Sequence, residues 1–165
     1  MNKNATNYQN PLQKSQRVKT LKFLIFKVGK LNLALSIERV KKVLHYTPVY
    51  SSGLNFLGVA HIGEQEITVI DLHRRLFHES QAILSGTKGY LILAQNTEGE
   101  FFGIWVGETP TLVDAPINQI RELPESYRRA DTLEIASHVT VIKDKQDSLT
   151  VFILDADRLL SPVSV

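Results

Sequence analysis

Two aspartates close almost the same phrase of sequence. Val69-Ile70-Asp71-Leu72-His73-Arg74-Arg75-Leu76 returns 84 residues later as Ile153-Leu154-Asp155-Ala156-Asp157-Arg158-Leu159-Leu160. Asp71, His73 and Asp155 are residue types suited to acid and base work, provided the fold gathers them in one concave pocket. Their setting argues for a different role. Each Asp follows an apolar, strand-like run and is followed by an Arg three residues on and a Leu five on. That is the pattern of a strand meeting a helix start, where the carboxylate accepts backbone N–H groups left free by the first turn and the Leu folds back onto the strand. The repeat also assigns the two Asp residues to equivalent positions of different halves, which works against a shared pocket.

Other reactive groups lack the spacing their chemistry requires. His73 and His78, with Glu79 beside them, are five residues apart, whereas helical zinc ligands stand four apart. Ser85-Gly86-Thr87-Lys88-Gly89 has the composition of a phosphate loop, but the Lys follows Thr87 instead of the second Gly of that motif, so it reads as a connector. No Ser lies in a Gly-x-Ser-x-Gly elbow. The chain has no Cys, which removes thiolate nucleophiles, thiolate zinc sites and disulfides. The expectation is a protein without catalytic residues, metal or cofactor. Phe101, Phe102 and Trp105 could stack bases, as in small barrels that bind single-stranded nucleic acid. Strand alternation instead sends Phe102 with Ile104 one way and Phe101 with Trp105 the other, and no basic residues interleave, so the reading is core packing.

Charge points the same way. Lys3, Lys14, Arg17 and Lys19 fall in the first twenty residues without an acid, so the rest of the chain carries 15 bases against 17 acids, net −2. Phosphate binding calls for clustered Lys and Arg, and a near-neutral body argues against nucleic acid. Residues 1–20, rich in Asn, Gln and Lys, read as a disordered basic tail, and 21–165 as the folded domain. No apolar run approaches the roughly 20 residues of a membrane helix, and the first residues lack the apolar core of a secretory signal; the expectation is a cytoplasmic protein without membrane insertion.

The elements that must position these residues are mostly strands. Leu21–Val28 and Leu31–Ile37 form a hairpin through Gly29-Lys30, and Gly89–Gln95 and Glu100–Val106 another through Asn96–Gly99. Phe56–Gly63 turns at Glu64-Gln65, and Ile135–Ile142 turns at 143–148, each hairpin leading into one copy of the repeated phrase. Ile37, Val40, Val43 and Leu44 recur at helical spacing behind a capping Ser36, predicting a short amphipathic helix that ends near His45. Tyr46–Asn55 reads as an exposed loop. Thr111–Ile117 is a short strand. About nine strands and two or three short helices make the class mainly β, closed as paired small barrels or a sandwich. The repeat of hairpin plus helical turn implies two pseudo-equivalent halves.

Phe23-Leu-Ile-Phe with Gly29, then Ile37-Glu-Arg-Val40-Lys-Lys-Val43-Leu44, Gly58-Val59 with Val69-Ile70-Asp71-Leu72, Gly103-Ile104 with Val106, Ile120-Arg121 with Pro124-Glu125, and Leu154-Asp155 with Leu159-Leu160 stand in an order that resembles the CheW adaptor family of bacterial chemotaxis, from Phe23 to Leu160. The resemblance implies two intertwined five-stranded SH3-like barrels with short helices and a hydrophobic seam. It also implies a non-catalytic adaptor that couples methyl-accepting chemoreceptors to a CheA-type histidine kinase in chemotaxis, phototaxis or pilus motility. The first barrel would bind the kinase's regulatory domain, and a groove between the barrels the cytoplasmic tip of a chemoreceptor, recruiting the protein to membrane receptor arrays. By position, the implied partner-binding residues are Val40, Lys42 and Val43 on or beside the first helix, and Gly58, His61, Gly63 and Glu64 around the turn. Structural roles compete at each: core for the valines, close strand approach for Gly58, a solvated face for Lys42.

One departure bears on partners. Where the family usually carries Asn-Leu-Arg-Gly, this chain reads His61-Ile62-Gly63-Glu64, so a guanidinium is replaced by an adaptable backbone and a carboxylate. Glu108-Thr109-Pro110 departs as well. The alternatives to the adaptor are a small β-barrel binding single-stranded nucleic acid and an enzyme using Asp71, His73 and Asp155.

Overall fold

A computed structural model of the chain describes residues 18–45, 47–51, 56–79, 89–128 and 134–160. These form twelve strands in two sheets. One sheet contains β1 (Thr20–Val28), β2 (Leu31–Ser36), β9 (Thr111–Pro116), β10 (Arg121–Glu122), β11 (Ala136–Asp144) and β12 (Asp147–Leu154), in the order β10-β11-β12-β2-β1-β9. The other contains β3 (Val40–Leu44), β4 (Tyr50–Ser51), β5 (Leu57–Ile62), β6 (Gln65–Ile70), β7 (Tyr90–Gln95) and β8 (Phe101–Val106), in the order β3-β7-β8-β6-β5-β4. The short helices are α1 (Leu72–Phe77), α2 (Glu125–Arg128) and α3 (Ala156–Leu159).

The two halves are woven together. The hairpin β1–β2 opens the first half of the chain but lies in the sheet completed by β9 to β12. The hairpin β7–β8 opens the second half but lies in the sheet with β3 to β6. Two parallel pairings join the halves at equivalent places, β12 with β2 and β6 with β8. Each sheet thus has five principal strands by the expected count only if one two-residue edge strand, β4 or β10, is set aside.

This exchange explains why the central strands do not alternate. Phe23 and Ile25 enter a small core with Ala34, Ala115, Val151 and Ile153, while their neighbours Leu24 and Phe26 enter a larger one. The larger core also takes Leu33, Leu35, Ile92, Ala94, Phe102, Ile104, Leu72, Leu76 and Leu159, and it fills the seam between the sheets. A third core, of Ala60, Val69 and Leu91 with Leu44, Ile62 and Trp105 around it, fills the other sheet's curve. A strand buried on both faces reads as a continuous apolar run, as Phe23 to Phe26 does.

The segment after Ser36 is not the predicted helix. Ser36 does cap, its Oγ accepting from the Glu38 N–H at 3.3 Å, but the turn ends as a three-residue 3-10 helix, Ile37–Arg39, and the chain continues as β3. A bulge between Val40 and Lys42 is the reason. Val40 stands opposite Ala94, Lys42 opposite Leu93 and Val43 opposite Ile92, so the extra residue puts Val40 and Val43 on one face three positions apart. In an unbroken strand that spacing would be two or four, and it imitates a helix.

Smaller differences follow. The first hairpin turns at Gly63-Glu64, with Gln65 already in β6, and Gly63 takes φ 65°. The second turns at Lys145-Gln146. Tyr50–Ser51, expected in a loop, pairs with β5; residues 46 and 52–55 of that loop, the connector at 80–88 and most of the basic tail (1–17) lie outside the described residues. Phe102 and Ile104 are buried in the seam as expected, but Phe101 is 41% exposed because it precedes the point where β8 meets β6.

Candidate functional site

The aspartates of the repeat are helix caps. Asp71 Oδ1 accepts from the Arg74 N–H at 3.0 Å, and Asp155 Oδ1 from the Asp157 N–H at 3.0 Å. The backbone repeats too: the Asp71 N–H donates to the Phe56 carbonyl and the Asp155 N–H to the Ile135 carbonyl, both at 2.8 Å. His73 is held by its own helix end, with Nδ1 2.5 Å from the Glu79 carbonyl oxygen and its ring against Phe77 at 5.0 Å. Among the described residues no group of three or more His, Cys, Asp or Glu stands in metal-binding geometry.

Each helix reaches across the seam to a hairpin turn of the other sheet. Phe77 of α1 covers the β1–β2 turn, where Gly29 at φ 60° brings its backbone so close that a Cβ would lie 2.9 Å from the Phe77 ring. Asp157 of α3 holds the β7–β8 turn, its carboxylate accepting from the Thr97 N–H at 2.8 Å and the Thr97 hydroxyl at 2.7 Å. Those two hydrogen bonds keep the Asp157 carboxyl below its ordinary value, with Arg39 assisting.

Between the helices lies Arg75, a residue that sequence reading passed over. Its side chain is 5% exposed, Nη1 donates to the Leu159 carbonyl at 2.6 Å, Nη2 stands 3.6 Å from Glu134 Oε1, and the guanidinium lies 4.9 Å from the Phe56 ring centre. Burial lowers its pKa and the neighbouring Glu134 opposes that shift. Arg158 completes the cluster by donating to the Glu134 carbonyl at 2.9 Å. The only sequence signal for this strut is that position 75 is Arg where its repeat partner, position 159, is Leu.

The predicted partner-binding residues lie on one sheet but not on one strand pair. Val40, Lys42 and Val43 are on β3, at one end of the strand order. Val40 packs against the seam core, Lys42 is exposed, and Val43 is 38% exposed. Gly58 and His61 are on β5, and Gly63 and Glu64 form its turn into β6, near the other end. Leu44 of β3 and Ile62 of β5 join the same small core, so the two groups flank one barrel. His61 is exposed and meets Tyr50 edge-on at 6.2 Å, a neighbour that only the β4–β5 pairing reveals. No Cβ-distance neighbour crowds Gly63, and Glu64 is exposed.

These features define a class: a twin SH3-like barrel protein with few, short helices, each barrel completed by the other half of the chain. A model of the CheW-like domain family matches residues 22–163, and the chain belongs to that family. The crystal structure of the scaffolding protein TtCheW from Thermoanaerobacter tengcongensis is similar in fold, with a TM-score of 0.71 at 16% identity over 89% of this chain and 92% of that one. A search of curated protein sequences found no match. No helix among the described residues is long and apolar enough to cross a membrane.

Proposed function

We propose that this protein is a non-catalytic signalling adaptor that couples chemoreceptors to a CheA-type histidine kinase in chemotaxis, phototaxis or pilus motility. The observation that carries the proposal is membership of the CheW-like domain family over residues 22–163, with both barrels and their seam included in the match. The barrel of β3 to β8 binds the kinase's regulatory domain, and the groove between the barrels takes the receptor tip. Val40, Lys42, Val43, Gly58, His61, Gly63 and Glu64 form the contact surface around the first barrel. The mechanism is assembly: binding free energy fixes kinase and receptor geometry, and a receptor conformation that fits the assembly better shifts the kinase's equilibrium by that difference in affinity.

Calorimetric titration against the regulatory domain of a CheA-type kinase from the same cell tests this. Saturable one-to-one binding, weakened by Val43→Asp or Lys42→Glu in variants that keep the native melting transition, is the expected result. Absence of binding at high micromolar concentration overturns it. A Val69→Asp chain, disrupted in a barrel core where Val69 is buried, serves as the folding-defective control.

A further inference from the structure

Two residues stand at the roots of the two equivalent hairpins. Phe56 leads into β5–β6, and its carbonyl accepts from the Asp71 N–H; Ile135 leads into β11–β12, and its carbonyl accepts from the Asp155 N–H. Each root is thus fastened to the helix of its own half, and Arg75 spans from one to the other. On the first side its guanidinium lies 4.9 Å from the Phe56 ring centre. On the second, Nη2 stands 3.6 Å from Oε1 of Glu134, the neighbour of Ile135, while Nη1 donates to the Leu159 carbonyl at 2.6 Å. Glu134 is held a second time by Arg158, which donates to its carbonyl at 2.9 Å and stays 3.3 Å from Oδ2 of the capping Asp155.

We infer that Arg75 is a positioning residue: it fixes the angle between the hairpins β5–β6 and β11–β12, and with it the geometry in which the first hairpin offers Gly58, His61, Gly63 and Glu64 to a receptor tip lodged between the barrels. The inference rests on the adaptor reading and adds to it a residue too buried to touch the partner. Apolar attraction across the seam holds the barrels together but has no direction. A guanidinium does, because its donors leave a rigid plane in a fixed fork, and away from water each of its bonds is strong and costly to break. The repeat shows the alternative. Leu159, at the equivalent position, is fully buried in the seam core, so α3 adds packing where α1 adds a directed strut. An apolar side chain at position 75 would avoid the cost of burying a charge, and what the charge supplies in return is orientation.

A set angle matters for a partner held by both barrels. Two surfaces engaged at once gain from being fixed beforehand, since binding then loses little entropy in aligning them, whereas a partner held by one barrel is indifferent to the angle. The receptor tip in the groove is of the first kind, and the kinase's regulatory domain, on the barrel of β3 to β8, is of the second. The strut therefore acts on one partner and not on the other, which separates positioning from stability.

The chain has no Cys, so Gln65→Cys and Lys143→Cys, at exposed sites near the tips of the two hairpins, place two spin labels without background. Pulsed dipolar spectroscopy of the full chain should give a narrow distance between them. Arg75→Met, which keeps the stem but not the charge, should broaden it, and Arg75→Lys should broaden it less. In the unlabelled chain, well below its melting transition, Arg75→Met should weaken binding of the cytoplasmic fragment of a chemoreceptor from the same cell by about tenfold and leave binding of the kinase's regulatory domain within about twofold. An unchanged distance in Arg75→Met overturns the inference in favour of the seam core. Unchanged receptor affinity overturns it as well, as does an equal loss of both partners, the mark of instability. Should Arg75→Met not fold, Arg75→Lys decides by the same readings. A native chain that binds neither partner removes the adaptor reading, while the label distance still decides whether Arg75 sets the angle.

Discussion

Arg75 donates to the carbonyl of Leu159, the residue that holds its own place in the other repeat, at 2.6 Å. The two equivalent positions meet at the seam, where two arginines would confront each other in a perfectly repeated chain. One Arg and one Leu resolve that conflict. The guanidinium satisfies carbonyls at the end of α3, where free C=O groups and the helix dipole favour a cation, and Leu159 enters the seam core.

Removing Arg75 should therefore loosen the joint between the halves. Arg75→Ala leaves buried carbonyls unpaired and strips Glu134 of its ion pair, a loss of about 2–4 kcal/mol on the scale of charged hydrogen bonds and broken buried pairs. Arg75→Lys should recover only part of it, because a single ammonium cannot reach the carbonyl, the carboxylate and the Phe56 ring together. Urea unfolding of the three chains measures the difference.

The caps should behave as separate, local contributions. Asp71→Ala and Asp155→Ala should each cost about 1 kcal/mol. The double variant should lose their sum within about 0.5 kcal/mol, because Asp71 caps within α1 and Asp155 within α3, and neither carboxylate bonds to the other's helix among the described residues. A deficit well beyond the sum would show that the two helix starts communicate through the seam.

Asp157 predicts a dependence on pH. Its carboxyl titrates lower in the folded chain than in the unfolded one, so the unfolded chain binds more protons in that window and stability rises with pH through it. The contribution is fully present above the unfolded value of about 3.9 and disappears as pH falls through the lower folded value. Melting temperature against pH should show wild type above Asp157→Asn at neutral pH, with the gap closing in acid.

Two glycines should respond differently. A Cβ on Gly103 would lie 2.9 Å from Leu91 Cδ1 and 3.3 Å from Val69 Cγ2, so Gly103→Ala should destabilise the barrel by about 1–3 kcal/mol through overpacking. Gly63 has open space around it but sits at φ 65°, so Gly63→Ala should cost about 1 kcal/mol from backbone conformation alone. Gly63→Asn should cost less, since Asn tolerates that region. Because these chains stay folded, thermal unfolding and kinase titration together separate a stability effect at Gly63 from a contact effect.

Much of the candidate surface was legible in the sequence. The hairpin around Gly63 and Glu64 announced itself through turn residues between apolar runs, and the family pattern located it. Tyr50 against His61 is not visible there, because it depends on which strands become neighbours. The spacing of three between Val40 and Val43 fits a helical turn, and a bulged strand produces the same spacing.

The sequence by itself determined the local decisions: where the hairpins turn, which Asp residues cap, and that a unit of hairpin plus helix occurs twice. Those follow from backbone preference and from hydrogen bonds between near neighbours, which a few adjacent residues are enough to specify. Only the tertiary structure decided the exchange of hairpins between barrels, the meeting of Arg75 with Leu159, and the hold of Asp157 on the β7–β8 turn. Each of these joins residues from distant parts of the chain, and their contact depends on how two apolar faces close over one seam, a choice that no short stretch of sequence contains.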